Sequence, residues 1–299
     1  MAERGRGQRF NRFSGLIMQD TTPNITGVEF ISLLVAGLCF IAAFVWQAVE
    51  LRRAVQASDA AGLARTSKVS VAWVIGGAVV CGAILIWRGW RFGLWSLPLS
   101  DYFDAGLLLA ILLTGLWIWF RWTRQLNTLA IFLLPLTGLL ILVGGILGAV
   151  GYRNFDTANP WIALHIGSIL AGTVCFAAGC VSGLAYLLAD RQLRRKKENL
   201  PLPPLARLEA FNRHAILLGF PLLTIAAITG IMEALVHPRA MGPDWYWSPK
   251  VILTVVAWAV YAPLLHVKLT PSFRGARAAW LSIFGFALLL AVFALAGFG

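Results

Sequence analysis

The sequence is poor in charged residues, cysteine and histidine. Only 13% of its 299 residues are charged, whereas 59% are hydrophobic, and this composition excludes a soluble globular protein. The four cysteines, at positions 39, 81, 175 and 180, form no C-x-x-C or C-x-x-C-H motif. This excludes covalent c-type haem attachment on this chain and a C-x-x-C redox pair, and it favours packing roles for the cysteines.

The motifs of common enzyme classes are also missing: phosphate-binding loops, H-E-x-x-H, G-x-S-x-G and paired carboxylates within an apolar run. We therefore assign no catalytic residues.

Long apolar runs dominate the chain, and each is long enough to cross about 30 Å of hydrocarbon as a helix. Barrel strands are excluded because the runs far exceed their usual length of about 9–11 residues and show no alternation of apolar and polar residues. The sequence predicts an all-α, polytopic integral membrane protein with about eight transmembrane helices. The predicted helices are residues 29–49, 69–88, 103–120, 128–150, 160–189, 211–236, 249–268 and 278–298.

The basic residues predict how the protein lies in the lipid bilayer. The formal net charge is +12, but most Lys and Arg residues lie in the turns between apolar runs, which argues against nucleic acid as a partner. Sixteen of them fall in alternate turns and five in the opposite turns. The positive-inside rule then predicts that both termini lie outside. We expect a protein of the bacterial cytoplasmic (inner) membrane. Four arginines before Met18 oppose this rule, so we hypothesise that residues 1–17 are an extension of the gene prediction or a disordered tail.

The four histidines fall near the two predicted membrane faces. His165 and His237 form an outer pair, whereas His214 and His266 form an inner pair. Neutral imidazole is the usual iron ligand of b-type haem, and a polar residue within a membrane span is a functional candidate by default. The alternative is that these histidines bond a backbone carbonyl or reach towards the interface. Glu233, one turn before His237, is a candidate to orient a histidine or to pair with a nearby arginine.

The turn between the sixth and seventh predicted helices is rich in aromatic residues. It contains Trp245 and Trp247, with Arg239 and Lys250 on either side. Such a turn can offer an apolar platform with cations for a planar dianionic ligand such as haem. An ordinary aromatic belt at the membrane interface is the alternative.

Four stretches after about Pro160 occur in a distinctive order: LHIGSILAGTVCFAAGCVSGLAYLLADRQLRRKK, LPLPPLARLEAFNRHAILLGFPLLTIAAITGIM, WYWSPKVILTVVAWAVYAPLLH and FRGARAAWLSIFGF. In these stretches the sequence resembles the cytochrome c assembly proteins of the CcsA/CcmC family, most closely the HemX/YpjD-type branch. The resemblance covers nearly half the chain, whereas the first four helices match only in general character.

The resemblance implies a haem-binding membrane protein that holds or passes haem at the outer face during cytochrome c maturation. By position, His165 matches the outer iron ligand and His266 the membrane-embedded one, with haem b bound non-covalently. Trp245, Trp247 and Lys250 match the end of the tryptophan-rich motif, where Ser248 replaces the usual aspartate. His237 is a hypothetical second outer ligand. The implied partners are haem, a second assembly subunit and apocytochrome c.

Two other functions remain open at this stage: a HemX-type membrane regulator of haem biosynthesis and a b-type electron-transfer subunit. No autonomous active site is indicated, although the chain is a candidate component of a haem-attachment system. The predicted division has three parts. Residues 1–28 form an N-terminal tail, residues 29–150 form a four-helix membrane part, and residues 151–299 form the haem-handling part with its tryptophan-rich outer turn.

Overall fold

The part of the chain that the structure describes is a helical bundle, and its eight α-helices correspond to the eight predicted ones. A computed structural model describes residues 26–56, 68–92, 99, 101–123, 126–150, 159–196, 202–236, 244–265 and 275–296, and no β-strand occurs in that part of the chain. The helices are α1 (Gly27–Gln56), α2 (Lys68–Phe92), α3 (Tyr102–Trp122), α4 (Ala130–Val150), α5 (Pro160–Arg195), α6 (Leu205–Val236), α7 (Pro249–Leu265) and α8 (Ala276–Ala296). Short 3-10 segments, Asn127–Leu129 and Trp245–Trp247, precede α4 and α7.

The lengths and compositions of the helices confirm an integral membrane protein. Among the described residues, seven helices are long and apolar enough to cross a membrane, and α7 is a shorter apolar helix of 17 residues. Residues 1–25, on which the hypothesis about Met18 rests, lie outside the described residues.

Four helices extend well beyond their predicted ends. α1 reaches Gln56 instead of residue 49, and α2 reaches Phe92 instead of residue 88. α5 reaches Arg195 instead of residue 189, and α6 begins at Leu205 instead of residue 211. The prediction ended each helix where apolar residues give way to charged ones, but Arg, Gln and Leu are good helix formers outside a membrane as well. At 1.5 Å per residue α5 is about 54 Å long, well beyond the roughly 30 Å of hydrocarbon. His214 therefore lies within α6 and does not begin it.

Glycines allow the helices to approach closely around α5. α5 packs against α6 and α8, and it also contacts α3, which connects it to the packed group of α1–α4. A Cβ atom added at Gly183 would lie 2.9 Å from the carbonyl oxygen of Ala279 in α8, and one at Gly179 would lie 3.2 Å from Asn212 Oδ1 in α6. The G-x-x-x-G sequence thus packs α5 against two helices, as expected for small residues in membrane bundles.

A buried ion-pair cluster joins the adjacent ends of α1, α2 and α3. The guanidinium group of Arg88 lies 3.3 Å from Glu29 Oε1, 2.9 Å from Asp101 Oδ2 and 2.6 Å from Asp104 Oδ1. Each of these side chains is at most 3% exposed, and Arg88 also lies 5.0 Å from the ring centroid of Phe103. Three carboxylates facing one guanidinium give the cluster a formal charge of −2 when all are ionised.

The cluster corrects one expectation from the sequence. Arg88 is predicted to lie in an outer turn, but it lies inside α2 and is buried. The cluster was not visible in the sequence because Glu29 is distant from Asp101 and Asp104, and Arg88 brings the three carboxylates to one place. Glu29 also forms a reciprocal cap with Thr26 at the start of α1.

Acid is expected to stabilise the bundle through Asp101. Burial raises the pKa of Asp101 from 3.8 to about 6, and Asp104 adds to this rise while Arg88 opposes it. Because the folded-state pKa exceeds the unfolded one, the stabilisation is complete below the unfolded pKa and is lost as the pH rises through the folded pKa. The melting temperature in detergent should therefore increase as the pH is lowered from about 7.5 to about 5.

Asp101→Asn is the matched variant for this pH dependence, because asparagine also caps helices well. It should flatten the dependence while leaving the melting temperature at low pH nearly unchanged. An equally steep dependence in the Asp101→Asn protein would contradict the role of this carboxyl group.

Candidate functional site

The structure describes five of the eight predicted site residues. His165, His214, Trp245, Trp247 and Lys250 lie within it. The other three predicted residues, at positions 237, 239 and 266, lie outside the described residues. The candidate site is therefore built from His165 on α5 and the start of α7.

His165 lies in the second turn of α5, close to a well-defined helix start. Asn159 caps the helix by accepting a hydrogen bond from Trp161 N at 3.0 Å, and Pro160 occupies the first turn, where proline is tolerated because its missing N–H would be unpaired anyway. The predicted position of His165 near one end of its span is confirmed.

The imidazole ring of His165 packs against the end of α6. Its Nδ1 atom lies 2.8 Å from the carbonyl oxygen of Ala226 and 3.2 Å from Thr229 Oγ1. A carbonyl oxygen only accepts hydrogen bonds, so Nδ1 carries the ring proton. Nε2 then has the free lone pair, and among the described residues it makes no hydrogen bond.

Gly230 provides the space for this ring. A Cβ atom added at Gly230 would lie 2.8 Å from Cε1 of His165 and 3.3 Å from its Nδ1. Even the smallest side chain would therefore push the imidazole ring away from α6. Glu233, one turn further along α6, interacts electrostatically with His165.

Comparison with known proteins identifies the family. The sequence profile described as "Cytochrome C assembly protein" matches residues 99–296. The chain belongs to the cytochrome c assembly protein family. The match includes α3 and α4 as well as α5–α8, so it begins earlier in the chain than the resemblance recognised from the sequence.

Relatives of this cytochrome c assembly protein carry the name "Cytochrome c biogenesis protein CcsA". One from Heterosigma akashiwo (strain NIES-293 / 8280G21-1) is 24% identical over 244 residues, covering 68% of this chain and 73% of the relative. Another from Synechococcus sp. (strain CC9902) is 25% identical over 241 residues, covering 68% and 75%. A third, from Synechococcus sp. (strain RCC307), is 30% identical over 137 residues, covering 42% and 43%. No solved structure matches this chain.

Membership of this family supports a role in cytochrome c maturation and implies haem handling. Two observations show that His165 fits such a cofactor. The ring proton is held on Nδ1, so Nε2 keeps its lone pair and is a neutral imidazole ligand of the kind that binds haem iron. The ring also occupies a space that a Cβ atom at Gly230 would fill. When bound, haem would supply the redox-active iron and the porphyrin that is attached to cytochrome c.

The aromatic turn presents its rings outwards at the start of α7. Trp247 is 70% exposed and Tyr246 51% exposed, whereas Trp245 is half-buried. Trp247 N donates to the Asp244 carbonyl at 3.0 Å and Ser248 N donates to the Trp245 carbonyl at 3.1 Å, so the segment is a defined 3-10 turn. Lys250 lies in the first turn of α7.

His214 lies far from His165. His165 contacts α6 at Ala226, which lies twelve positions after His214, or about 18 Å along the helix. His214 is exposed, and its Nδ1 lies 2.7 Å from the carbonyl oxygen of Ala210. The structure therefore places these two histidines too far apart to ligate the same iron atom.

The residues that hold His165 were missed by the sequence analysis. Ala226, Thr229 and Gly230 look like ordinary members of an apolar run. Their i, i+3 and i+4 spacing places them on one helix face, but only the packing of α5 against α6 shows that this face meets a histidine.

Proposed function

We propose that this protein binds haem b at the outer face of a bacterial cytoplasmic membrane and holds it, or passes it on, during cytochrome c maturation. The observation that carries the proposal is His165, whose Nδ1 proton is held by α6 and whose Nε2 atom is left for iron. The basic residues of the alternate turns support an orientation with both termini outside.

The chain's own residues would bind and orient haem. His165 supplies the outer iron ligand, Trp245 and Trp247 stack on the porphyrin, and Lys250 neutralises a propionate group. Arg239 is proposed for the other propionate, His237 for a second outer ligand, and His214 and His266 for inner positions. Haem would be handed to an apocytochrome c whose own cysteines form the thioether bonds, with a second assembly subunit completing the complex.

Absorption spectra of the detergent-purified protein test the proposal. We expect the reduced protein to show split α and β bands, and His165→Ala to lose most of this absorbance. Loss of an iron ligand should weaken hemin affinity by more than about 100-fold, beyond the 10- to 100-fold typical of groups that only support a ligand. His266→Ala, measured alongside, separates an inner site from the outer one.

Gly167→Ala is the control for these spectra, because a Cβ atom there meets nothing within 4 Å and lies two residues from His165. It should bind hemin as the unchanged protein does. A protein that is purified without haem and fails to take up added hemin would contradict the proposal and favour a HemX-type regulatory role.

A further inference from the structure

We propose that α6 presets His165 for iron: Ala226 and Thr229 hold the ring proton on Nδ1, and Gly230 gives the ring its place against the helix. Nε2 is then the single nitrogen offered to a metal. The inference rests on the proposed function, in which His165 is a haem ligand, and it adds Thr229 and Gly230 as positioning residues.

Two acceptors converge on one ring nitrogen. The carbonyl oxygen of Ala226 lies 2.8 Å from Nδ1 of His165 and Thr229 Oγ1 lies 3.2 Å from it. The Thr229 hydroxyl has its own proton directed to the carbonyl oxygens of Ile225 and Ala226, at 2.8 and 3.1 Å. Its lone pairs therefore remain to accept from His165. Both acceptors thus favour the tautomer that is protonated at Nδ1.

Burial makes this arrangement costly to change. Ala226 and Thr229 are each 3% exposed, so water is not at hand to replace either hydrogen bond. A flipped imidazole ring would lose both of the hydrogen bonds that Nδ1 donates to α6. The ring is also confined sterically, because it lies directly over the position that a Cβ atom would take at Gly230.

The same hydrogen bonds set the electronic character of the ligand. An acceptor at Nδ1–H makes a metal-bound imidazole more basic, and a more basic ligand favours ferric over ferrous iron. Removing the Thr229 hydroxyl should therefore raise the reduction potential of bound haem. If Thr229 had only a structural role, its replacement would leave the reduction potential unchanged.

Three variants and one control test the inference in the full-length, detergent-purified protein. Thr229→Val removes the hydroxyl with little change in size, Thr229→Ser keeps a hydroxyl, and Gly230→Ala adds one methyl group under the ring. Gly167→Ala adds the same methyl group near His165 without a neighbour within 4 Å. Hemin affinity and the reduction potential are measured for each, with a thermal melt to verify folding.

The tautomer can also be measured without haem. Nitrogen-15 NMR of the histidine-labelled protein distinguishes a protonated ring nitrogen from an unprotonated one, and the His165 signals are those lost in His165→Ala. We expect a protonated Nδ1 and an unprotonated Nε2 in the haem-free protein. In Thr229→Val the carbonyl oxygen of Ala226 still accepts from Nδ1, so we expect the same tautomer with a shifted Nδ1 signal, because one of its two acceptors is lost.

We expect hemin affinity to fall about 100-fold in Gly230→Ala and about 10-fold in Thr229→Val, the two ends of the range known for groups that support metal-binding histidines. Thr229→Val should also have a higher reduction potential, and Thr229→Ser should restore both values. Gly167→Ala should match the unchanged protein.

The failure of this inference is distinguishable from failure of the proposed function. If His165→Ala binds hemin as tightly as the unchanged protein, His165 is not the ligand and the proposed function fails. If His165→Ala loses hemin but Thr229→Val keeps the same affinity, reduction potential and Nδ1 signal, the positioning role of Thr229 is overturned. An unprotonated Nδ1 in the haem-free protein overturns the presetting by α6. The measurements on Thr229→Val test the positioning of His165 even if Gly230→Ala does not fold.

Discussion

Replacing Arg88 with glutamine is expected to lower the free energy of unfolding by about 3–5 kcal/mol, the cost of removing one partner from a buried ion pair. The change leaves Glu29, Asp101 and Asp104 close together without the guanidinium group that holds them. Thermal or chemical unfolding in detergent, followed by circular dichroism, measures the loss.

Arg91→Gln is the matched control for this prediction. Arg91 lies three residues later on α2 and is exposed, so the same substitution there should change stability by less than about 0.5 kcal/mol. Equal unfolding midpoints for Arg88→Gln and Arg91→Gln would show that the cluster contributes nothing to stability.

Gly183→Ala is expected to have the next largest effect on stability. The added Cβ atom would lie 2.9 Å from the carbonyl oxygen and 3.3 Å from the Cα atom of Ala279, and backbone atoms cannot move aside as a flexible side chain can. α5 and α8 must therefore separate, at a cost of about 1–3 kcal/mol. A lower midpoint of thermal unfolding in detergent is the expected observation.

Gly115→Ala tests whether this loss arises from the close contact itself. A Cβ atom at Gly115 meets nothing within 4 Å, so alanine there should leave stability unchanged or raise it by up to about 1 kcal/mol through its better helix propensity. Similar losses in both variants would mean that the approach of α5 to α8 is not what Gly183 provides.

The sequence predicts the helices well because the thickness of the bilayer fixes the length of an apolar run. The eight predicted segments all appear, and the largest differences are the charged extensions of α1, α5 and α6. The arginine at the end of α2 was assigned to a turn because a charge ends an apolar run. The burial of Arg88 depends on carboxylates from two other helices. One of these carboxylates, Glu29, is distant from Arg88 in the sequence.

The candidate site was predictable only in part. His165 stands out because histidine is rare in this chain and lies within a span, and the aromatic turn stands out by composition. The hydrogen bonds that His165 donates to Ala226 and Thr229 depend on the rotation of α5 relative to α6. No periodic pattern of small apolar residues predicts that rotation. Such partners become visible only once two helices are packed.

The Arg88 cluster also has a consequence for the order in which the chain assembles during synthesis. When Arg88 emerges from the ribosome, Glu29 is already present, but Asp101 follows 13 residues later and Asp104 later still. The complete set of partners for the guanidinium group therefore exists only after the start of α3 has been made. Until then, insertion of α2 leaves Arg88 incompletely compensated, so the first three helices reach their final arrangement together and not one by one.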